Sequence, residues 1–257
     1  ANLAPFDLQA GRLPVAFEVT RRMRKRVGER VGLYGLVCGP FTLAMHLLGN
    51  ELFMQMYDHP DYVKAVVGYC ASIGMKMSAA YLDAGADVIA VVDPMTSQIS
   101  REHFTEFVAP YVNQIFDGVR QRGGLSSLFV CGDASRNLAE MSKTSSDNLS
   151  IDENIPLSLL RDHSRTTGKS FGGNLKLASV LLFGDADDCR LDAIRCIDKR
   201  PYGCPLGDQH TERGKEHSGD PDQHHGGDSW HPRDKAMHIL DIPAPNLVLH
   251  GTYTEEE

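Results

Sequence analysis

The sequence predicts a parallel α/β protein, and three observations carry this prediction. Short apolar runs of β type alternate with segments of helical period through most of the first 200 residues. The run at 87–92 is apolar on both faces, which is typical of a strand in a covered parallel sheet. Turn residues such as Gly39-Pro40 and Asp93-Pro94 close these runs. Repeated β-then-α units of this length favour a closed barrel or an open doubly wound sheet.

The elements follow one another in a regular order. The first strand, 31–38, ends at Gly39-Pro40, and Pro40 suits the first turn of a helix that extends to about residue 56. Ser100 is predicted to cap a helix over 101–121. The other predicted strands are 87–92, 127–131, 148–151 and 169–173, and the other predicted helices are 61–84, 135–142, 156–165 and 186–198. No GxGxxG motif or P-loop favours a nucleotide-binding sheet.

Composition excludes several classes of protein. The chain has 257 residues and a formal net charge of -8, so it lacks the basic excess of a non-specific nucleic-acid binder. Its longest apolar runs are too short to span a bilayer, so no membrane segment is expected. Six cysteines without a CxxC pair, and no visible secretory signal, favour a reducing cytoplasm.

The composition changes near residue 200. Residues 201–234 contain Leu206 as their one aliphatic residue larger than Ala, and His, Asp, Gly and Pro are abundant there. Such a segment buries too little apolar area to offset its ordering entropy. We therefore predict a folded domain over 1–200 and an irregular His/Gly/Asp-rich tail over 201–257. A shifted reading frame or a non-homologous end is a hypothesis for this change, and all three frames of the encoding DNA would test it.

Polar residues follow the predicted strands. In parallel α/β folds, functional groups gather at the carboxyl ends of the strands. The residues at these positions are Cys38, Asp93, Cys131, Asp133, Asp152, Glu153 and Asn174. A thiolate and a carboxylate on neighbouring strands, such as Cys131 and Glu153, could ligate Zn²⁺ if a third ligand came from elsewhere. A buried cysteine beside a solvated glutamate is the alternative interpretation.

Five stretches of the sequence, taken together, resemble the uroporphyrinogen decarboxylase superfamily. They are CGPFTLAMHLLGNELFMQMYDHP (38–60), AGADVIAVVDPMTSQISREHFTEFVAPY (84–111), FVCGDASRNLAEM (129–141), DNLSIDENIPL (147–157) and GKSFGGNLK (168–176). The resemblance implies a (β/α)8 TIM barrel, which we expect to be incomplete at both ends. It also implies one of two activities. These are decarboxylation of uroporphyrinogen III without a cofactor, and zinc-dependent methyl transfer between a methylated corrinoid protein and a thiol.

The motifs are nearer to the corrinoid-linked methyltransferases. That branch has a His-x-Cys motif, a later Glu and a further Cys around zinc, and the resemblance places Cys131, Glu153 and Cys204 at the last three of these positions. Phe129 replaces the histidine and cannot bind a metal. The expected cofactors are therefore zinc, with an altered ligand set, and a methylcobamide carried by a corrinoid partner protein.

The resemblance also implies roles for further residues. Asp93 and Glu153 are the expected catalytic residues, and Asp93, Gln98 and Asn174 are expected to hold the polar end of a small-molecule substrate. A turn carboxylate, a loop amide and a Gly-Gly-Asn turn are the alternative interpretations. An enzyme, a methyltransferase, is therefore expected. Decarboxylation, as a carboxy-lyase, and a degenerate, inactive member are the two alternatives.

A basic cluster lies at residues 21–26, Arg-Arg-Met-Arg-Lys-Arg. We interpret it as the exposed face of a helix that contains Phe17 and Val19. The alternative hypothesis is a docking patch for an acidic corrinoid protein, which charge reversal at Arg22 and Lys25 would test.

Overall fold

A computed structural model describes residues 5–198 of the chain. Its strands are β1 (Tyr34–Cys38), β2 (Val88–Val92), β3 (Leu125–Val130), β4 (Asn148–Ile151) and β5 (Ser170–Gly172). Its α-helices are α1 (Leu13–Val27), α2 (Pro40–Leu48), α3 (Glu51–Asp58), α4 (Pro60–Asp83), α5 (Arg101–Phe107), α6 (Ala109–Gln121), α7 (Leu138–Lys143), α8 (Leu157–Thr167) and α9 (Ala186–Asp198). The predicted tail, 201–257, and Cys204 lie outside the described residues. No helix in the described part is long and apolar enough to cross a bilayer.

The sheet order decides between the two predicted architectures. The five strands pair in the order β1-β2-β3-β4-β5, and all four pairings are parallel. A doubly wound sheet reverses its strand order at a switch point, whereas a barrel adds every strand on the same side. The chain thus winds in one direction, as a (β/α)8 barrel does. The five strands described here form an arc of such a barrel, so the prediction of a TIM-barrel fold is confirmed.

The hydrophobic core lies between the sheet and its helices. Side chains on the outer face of the strands, such as Val37, Ile89 and Leu128, are almost fully buried in it. Helices α4 and α6 cover this face, and a Cβ built on Gly74 would lie 2.6 Å from the Cδ1 atom of Ile115. A glycine in α4 therefore lets the two helices approach each other closely.

Two aspartates stabilise the end of the sheet where the strands begin. Asp87 precedes β2, and its Oδ2 atom accepts a hydrogen bond of 2.8 Å from the Leu33 N–H. Asp147 precedes β4 in the same way, and its Oδ2 atom accepts a hydrogen bond of 2.9 Å from the Ser126 N–H. Arg24 of α1 forms an ion pair with Asp87. The basic end of α1 therefore lies at the end of the sheet opposite to the carboxyl ends of the strands.

Two predicted helices are each divided in the structure. The helix predicted over 40–56 ends at Leu48, because Gly49 has a φ of 69° and stops it, and α3 begins at Glu51. The helix predicted over 101–121 is interrupted at Val108, since Pro110 has no N–H to continue the helical hydrogen bonds. The cap at Ser100 is confirmed, because its hydroxyl accepts a hydrogen bond from the His103 N–H.

Candidate functional site

The candidate site is the rim formed by the carboxyl ends of the strands. In a parallel arc all these ends lie at the same edge of the sheet. The predicted residues that end or follow the strands at this edge are Cys38, Asp93, Cys131, Asp133, Asp152, Glu153 and Asn174. Hydrogen bonds to the backbone connect some of these residues to one another. The others form hydrogen bonds with different parts of the chain.

Asp93 is fully buried directly after β2. Its Oδ1 atom accepts hydrogen bonds from the Thr42 N–H at 2.7 Å and the Thr42 hydroxyl at 2.6 Å, and its Oδ2 atom accepts one from the Phe41 N–H at 3.3 Å. Burial raises the pKa of Asp93 to about 6, and the hydrogen bonds from Thr42 and Phe41 partly oppose this rise. In this structure Asp93 holds the first turn of α2 against β2. Its contact with a substrate stays a prediction.

Cys131 lies directly after β3 and is half-buried. The next residue, Gly132, donates its N–H to Asp152 Oδ2 at 2.5 Å, so the end of β4 is tied to the turn that carries the thiol. Burial and then the negative charge of Asp152 raise the pKa of Cys131. The Cys131 thiol and the Asp152 carboxylate therefore both belong to the part of the rim around Gly132.

Glu153 and Asn174 bind neighbouring segments. Glu153 accepts a hydrogen bond from the Leu177 N–H, at the start of a π-helix over Leu177–Leu182. The amide of Asn174 donates to the Ile155 carbonyl, and Cys196 Sγ lies 3.7 Å from Asn174 Oδ1. These contacts connect the loop after β4 to the segment after β5.

Gln98 lies on the exposed side of the loop after β2. Its Nε2 atom donates a hydrogen bond of 3.2 Å to Ser97 Oγ. A Cβ built on Gly132 would lie 3.0 Å from the same Oγ atom. The loop that carries Gln98 therefore packs directly against the turn that follows Cys131, as a shared site requires.

The inner face of the arc is polar below the rim. Asn148 Oδ1 accepts hydrogen bonds of 2.8 Å from both Ser127 Oγ and Ser150 Oγ, and Asn148 Nδ2 donates to Ser170 Oγ at 3.0 Å. Barrel interiors are usually filled by branched apolar residues, so this hydroxyl and amide network departs from the usual pattern. In the register of β3 and β4, Phe129 aligns with Ser150, and this pair lies nearer the rim than the pair of Ser127 and Asn148.

The residues described do not fit a zinc site with three protein ligands. Within residues 5–198, no group of three or more His, Cys, Asp or Glu side chains could hold a metal ion. Phe129 occupies the position from which the expected histidine would come, and Glu153 has the Leu177 N–H as a partner. Cys204, the third expected ligand, lies outside this range, so its role stays a prediction.

The sequence did not predict the hydrogen bonds of two residues, Asp152 and Asn137. Asp152 was one of several strand-end carboxylates, and its position next to Glu153 gave no sign that it would bind the Gly132 N–H. Asn137 carried no signal, because its partners are backbone carbonyls of a distant loop. A carbonyl belongs to every residue type, so the sequence alone does not reveal such a bond.

The arginine-rich helix occupies a different part of the molecule. Arg24 donates to the Gly85 carbonyl at 2.8 Å, just before β2 begins. Arg21 and Arg22 form ion pairs with Glu18 on the exposed face of α1. The cluster is thus anchored at the end of the sheet opposite to the rim, and the alternative hypothesis that it docks a corrinoid protein stays a prediction.

Comparison with protein families identifies the family to which the chain belongs. The family model described as uroporphyrinogen decarboxylase (URO-D) matches residues 1–207. The chain belongs to the uroporphyrinogen decarboxylase family. This match covers every strand and helix described above, so the resemblance drawn from the five sequence stretches is confirmed.

Members of this family with different activities are similar to the chain. A methylcobamide:CoM methyltransferase of Methanosarcina mazei is 26% identical over 195 residues, which cover 75% of this chain and 57% of that protein. A uroporphyrinogen decarboxylase of Anaeromyxobacter dehalogenans is 29% identical over 178 residues, covering 67% of this chain and 50% of that protein. The chain thus spans about half the length of the curated relatives that it matches.

A solved structure of the family agrees with the arc. A methyltransferase from Methanosarcina mazei superposes with a TM-score of 0.69 at 25% identity, covering 76% of this chain and 58% of that chain.

Proposed function

We propose that this uroporphyrinogen decarboxylase family member takes part in methyl transfer between a methylcobamide, carried by a corrinoid partner protein, and a small thiol. The observation that carries the proposal is the thiol of Cys131 at the end of β3, beside the carboxylate of Asp152 at the end of β4. The similarity to methylcobamide:CoM methyltransferases supports the same reaction class.

The reaction needs a base at the rim. The sulfur of the acceptor thiol forms a bond to the methyl carbon, the cobalt–carbon bond breaks with its electron pair left on cobalt, and the thiol proton must leave. We assign this proton to Glu153, whose Oε2 atom accepts the Leu177 N–H and is thereby held in place at the rim. Gln98 is exposed beside the turn of Cys131 and is proposed to bind the polar end of the thiol.

Two further side chains support the proposed site. Asn174 connects the loops after β4 and β5 and is proposed to orient the substrate with Gln98. Asp93 fixes the first turn of α2 at the same rim, and its proposed role in catalysis is exerted through that turn. The five described cysteines are all free thiols, which supports the proposal of a reducing, cytoplasmic compartment.

The test uses the full chain with methylcobalamin and coenzyme M. We expect loss of the methylcobalamin absorbance and formation of the methylated thiol. Removing the base with Glu153→Gln should lower the rate by about 100-fold or more. Glu18→Gln is the matched control, because Glu18 lies on α1, away from the rim. This variant should leave the rate unchanged. Full activity in Glu153→Gln would contradict the assignment, and absence of methyl transfer in the parent protein would overturn the proposal.

Decarboxylation of uroporphyrinogen is the second candidate. Two observations favour it: Phe129 replaces a metal ligand at the rim, and a uroporphyrinogen decarboxylase is among the similar proteins. Incubation with uroporphyrinogen III, followed by chromatography of the oxidised porphyrins, separates this activity from methyl transfer. A chain that is silent in both assays would be the inactive member of the family that we consider as the third possibility, with a role in binding alone.

A further inference from the structure

Asn137 lies buried in the loop that carries Cys131, where this loop meets the loop that carries Gln98. It ends a short 3-10 helix, Ser135–Asn137, in the loop after β3, and only 1% of its surface is exposed. Its Nδ2 atom donates one hydrogen bond of 2.9 Å to the Thr96 carbonyl and another of 3.1 Å to the Ile99 carbonyl. Both acceptors belong to the loop after β2, and they lie on either side of Gln98 in the sequence. A single amide group therefore joins the two loops.

A second contact joins the same loops nearer the rim. Gly132 has a φ of 82°, and a Cβ at this position would lie 3.0 Å from Ser97 Oγ. The Gly132 N–H is held from the other side by Asp152. The turn after Cys131 is therefore enclosed between the loop after β2 and the end of β4.

The chemistry of the position requires an amide. Two carbonyl oxygens need two N–H donors, which the Asn137 side chain supplies from one nitrogen. Aspartate would place a carboxylate against two carbonyl oxygens, and alanine would leave both carbonyls buried without these partners. Asn137 Oδ1 has no hydrogen-bond partner within the described part of the chain, so the donors, and not the acceptor, explain why an amide stands here.

We infer that Asn137 is a positioning residue that holds the Gln98 loop closed over the turn of Cys131 and limits access to its thiol. The inference rests on the proposed function only in treating Cys131 as part of the reactive rim. Loss of the two hydrogen bonds leaves the sheet intact but lets the loop after β2 move away from Gly132.

The test is competitive alkylation of the full chain with a small reagent, iodoacetamide, and a bulky fluorescent maleimide, read for each cysteine by peptide mass spectrometry. Three cysteines report different events. Cys131 reports opening of the loops, the exposed Cys38 reports the reagent alone, and Cys70, buried in α4, reports global unfolding. A change in the ionisation of Cys131 would change both reagents' rates by the same factor, whereas opening favours the bulky reagent.

For Asn137→Ala we expect the maleimide rate at Cys131 to rise by about 30-fold, which corresponds to about 2 kcal/mol for two buried hydrogen bonds. The rates at Cys38 and Cys70 should stay unchanged. Asn137→Ser keeps one donor and should give a smaller rise, and it tests the inference if the alanine variant does not fold. Asn113→Ala is the matched control, because Asn113 Oδ1 accepts the Ser145 N–H at the opposite end of the sheet.

An unchanged Cys131 rate in a folded variant overturns the inference, and so does an equal rise at Cys70, because the role would then be one of general stability. An equal rise with both reagents also overturns it. The assay needs no methyl transfer, so the positioning role and the proposed function fail or succeed separately.

Discussion

Gly39 and Asp93 lie so close together that there is no room for a side chain at position 39. A Cβ built on Gly39 would lie 2.2 Å from Asp93 Cγ. The Gly39 N–H also donates to the Val92 carbonyl at 2.8 Å, which fixes the end of β1 beside the end of β2. The carboxylate can reach the first turn of α2 only because the residue before that turn has no side chain.

The first prediction concerns this contact. Gly39→Ala should lower the free energy of unfolding by about 2 to 4 kcal/mol, because either Asp93 or the start of α2 must move. Gly118→Ala is the control: a Cβ on Gly118 of α6 would meet nothing within 4 Å, so this helical substitution should be neutral or stabilise by up to about 1 kcal/mol. Urea unfolding followed by circular dichroism measures both, and equal effects would contradict the prediction.

The second prediction concerns pH. The pKa of Asp93 is raised to about 6 from an ordinary value of 3.8, so the folded chain retains a proton that the unfolded chain has lost between these values. Stability from this group is therefore complete below the unfolded pKa and is lost as pH rises through about 6, a loss on the order of 3 kcal/mol.

Asp93→Asn isolates this effect. The variant cannot titrate at this position, so its free energy of unfolding should fall less than that of the parent between about pH 4 and about pH 7. Asp133→Asn is the matched control, because hydrogen bonds from Ser135 lower the pKa of that exposed carboxyl. Identical pH profiles for the parent and Asp93→Asn would show that burial of this carboxyl does not govern the pH dependence.

The sequence predicted the fold better than the contacts of the site. Alternating β and α segments and the turns after each strand suffice to predict five parallel strands, since burial on both faces leaves a strong pattern. The break at Val108 was missed, because the apolar period continues through Pro110. The contact between Gly132 and Asp152 joins residues 20 apart in sequence, and only the folded register of β3 and β4 brings them together.

The third prediction separates structural from superficial arginines on α1. Arg24 donates to the carbonyls of Gly85 and Gly28 and pairs with Asp87, and its side chain is only 19% exposed. Arg24→Ala should lower the free energy of unfolding by about 2 to 3 kcal/mol, since Asp87 would lose its cationic partner. Arg21→Ala, which breaks an exposed pair with Glu18 on the same helix, should change it by less than about 0.5 kcal/mol. Thermal and urea unfolding check both, and comparable losses would refute the distinction.

The fourth prediction concerns zinc at the rim. Phe129 lies in β3 and Cys131 directly follows the end of this strand, so continuing the strand's alternation by one residue would place both side chains on the same face of the sheet. A histidine at position 129 would add an imidazole to the thiol and to the carboxylates of Asp152 and Glu153, which makes three ligand types available. We expect Phe129→His to bind zinc at least about tenfold more tightly than the parent chain, as measured by competition with a chromophoric chelator. Phe129→Leu, which adds no donor, controls for the loss of the ring. Tight, stoichiometric zinc in the parent that disappears in Cys204→Ser would contradict this expectation, because the ligand set would then be completed by Cys204 instead.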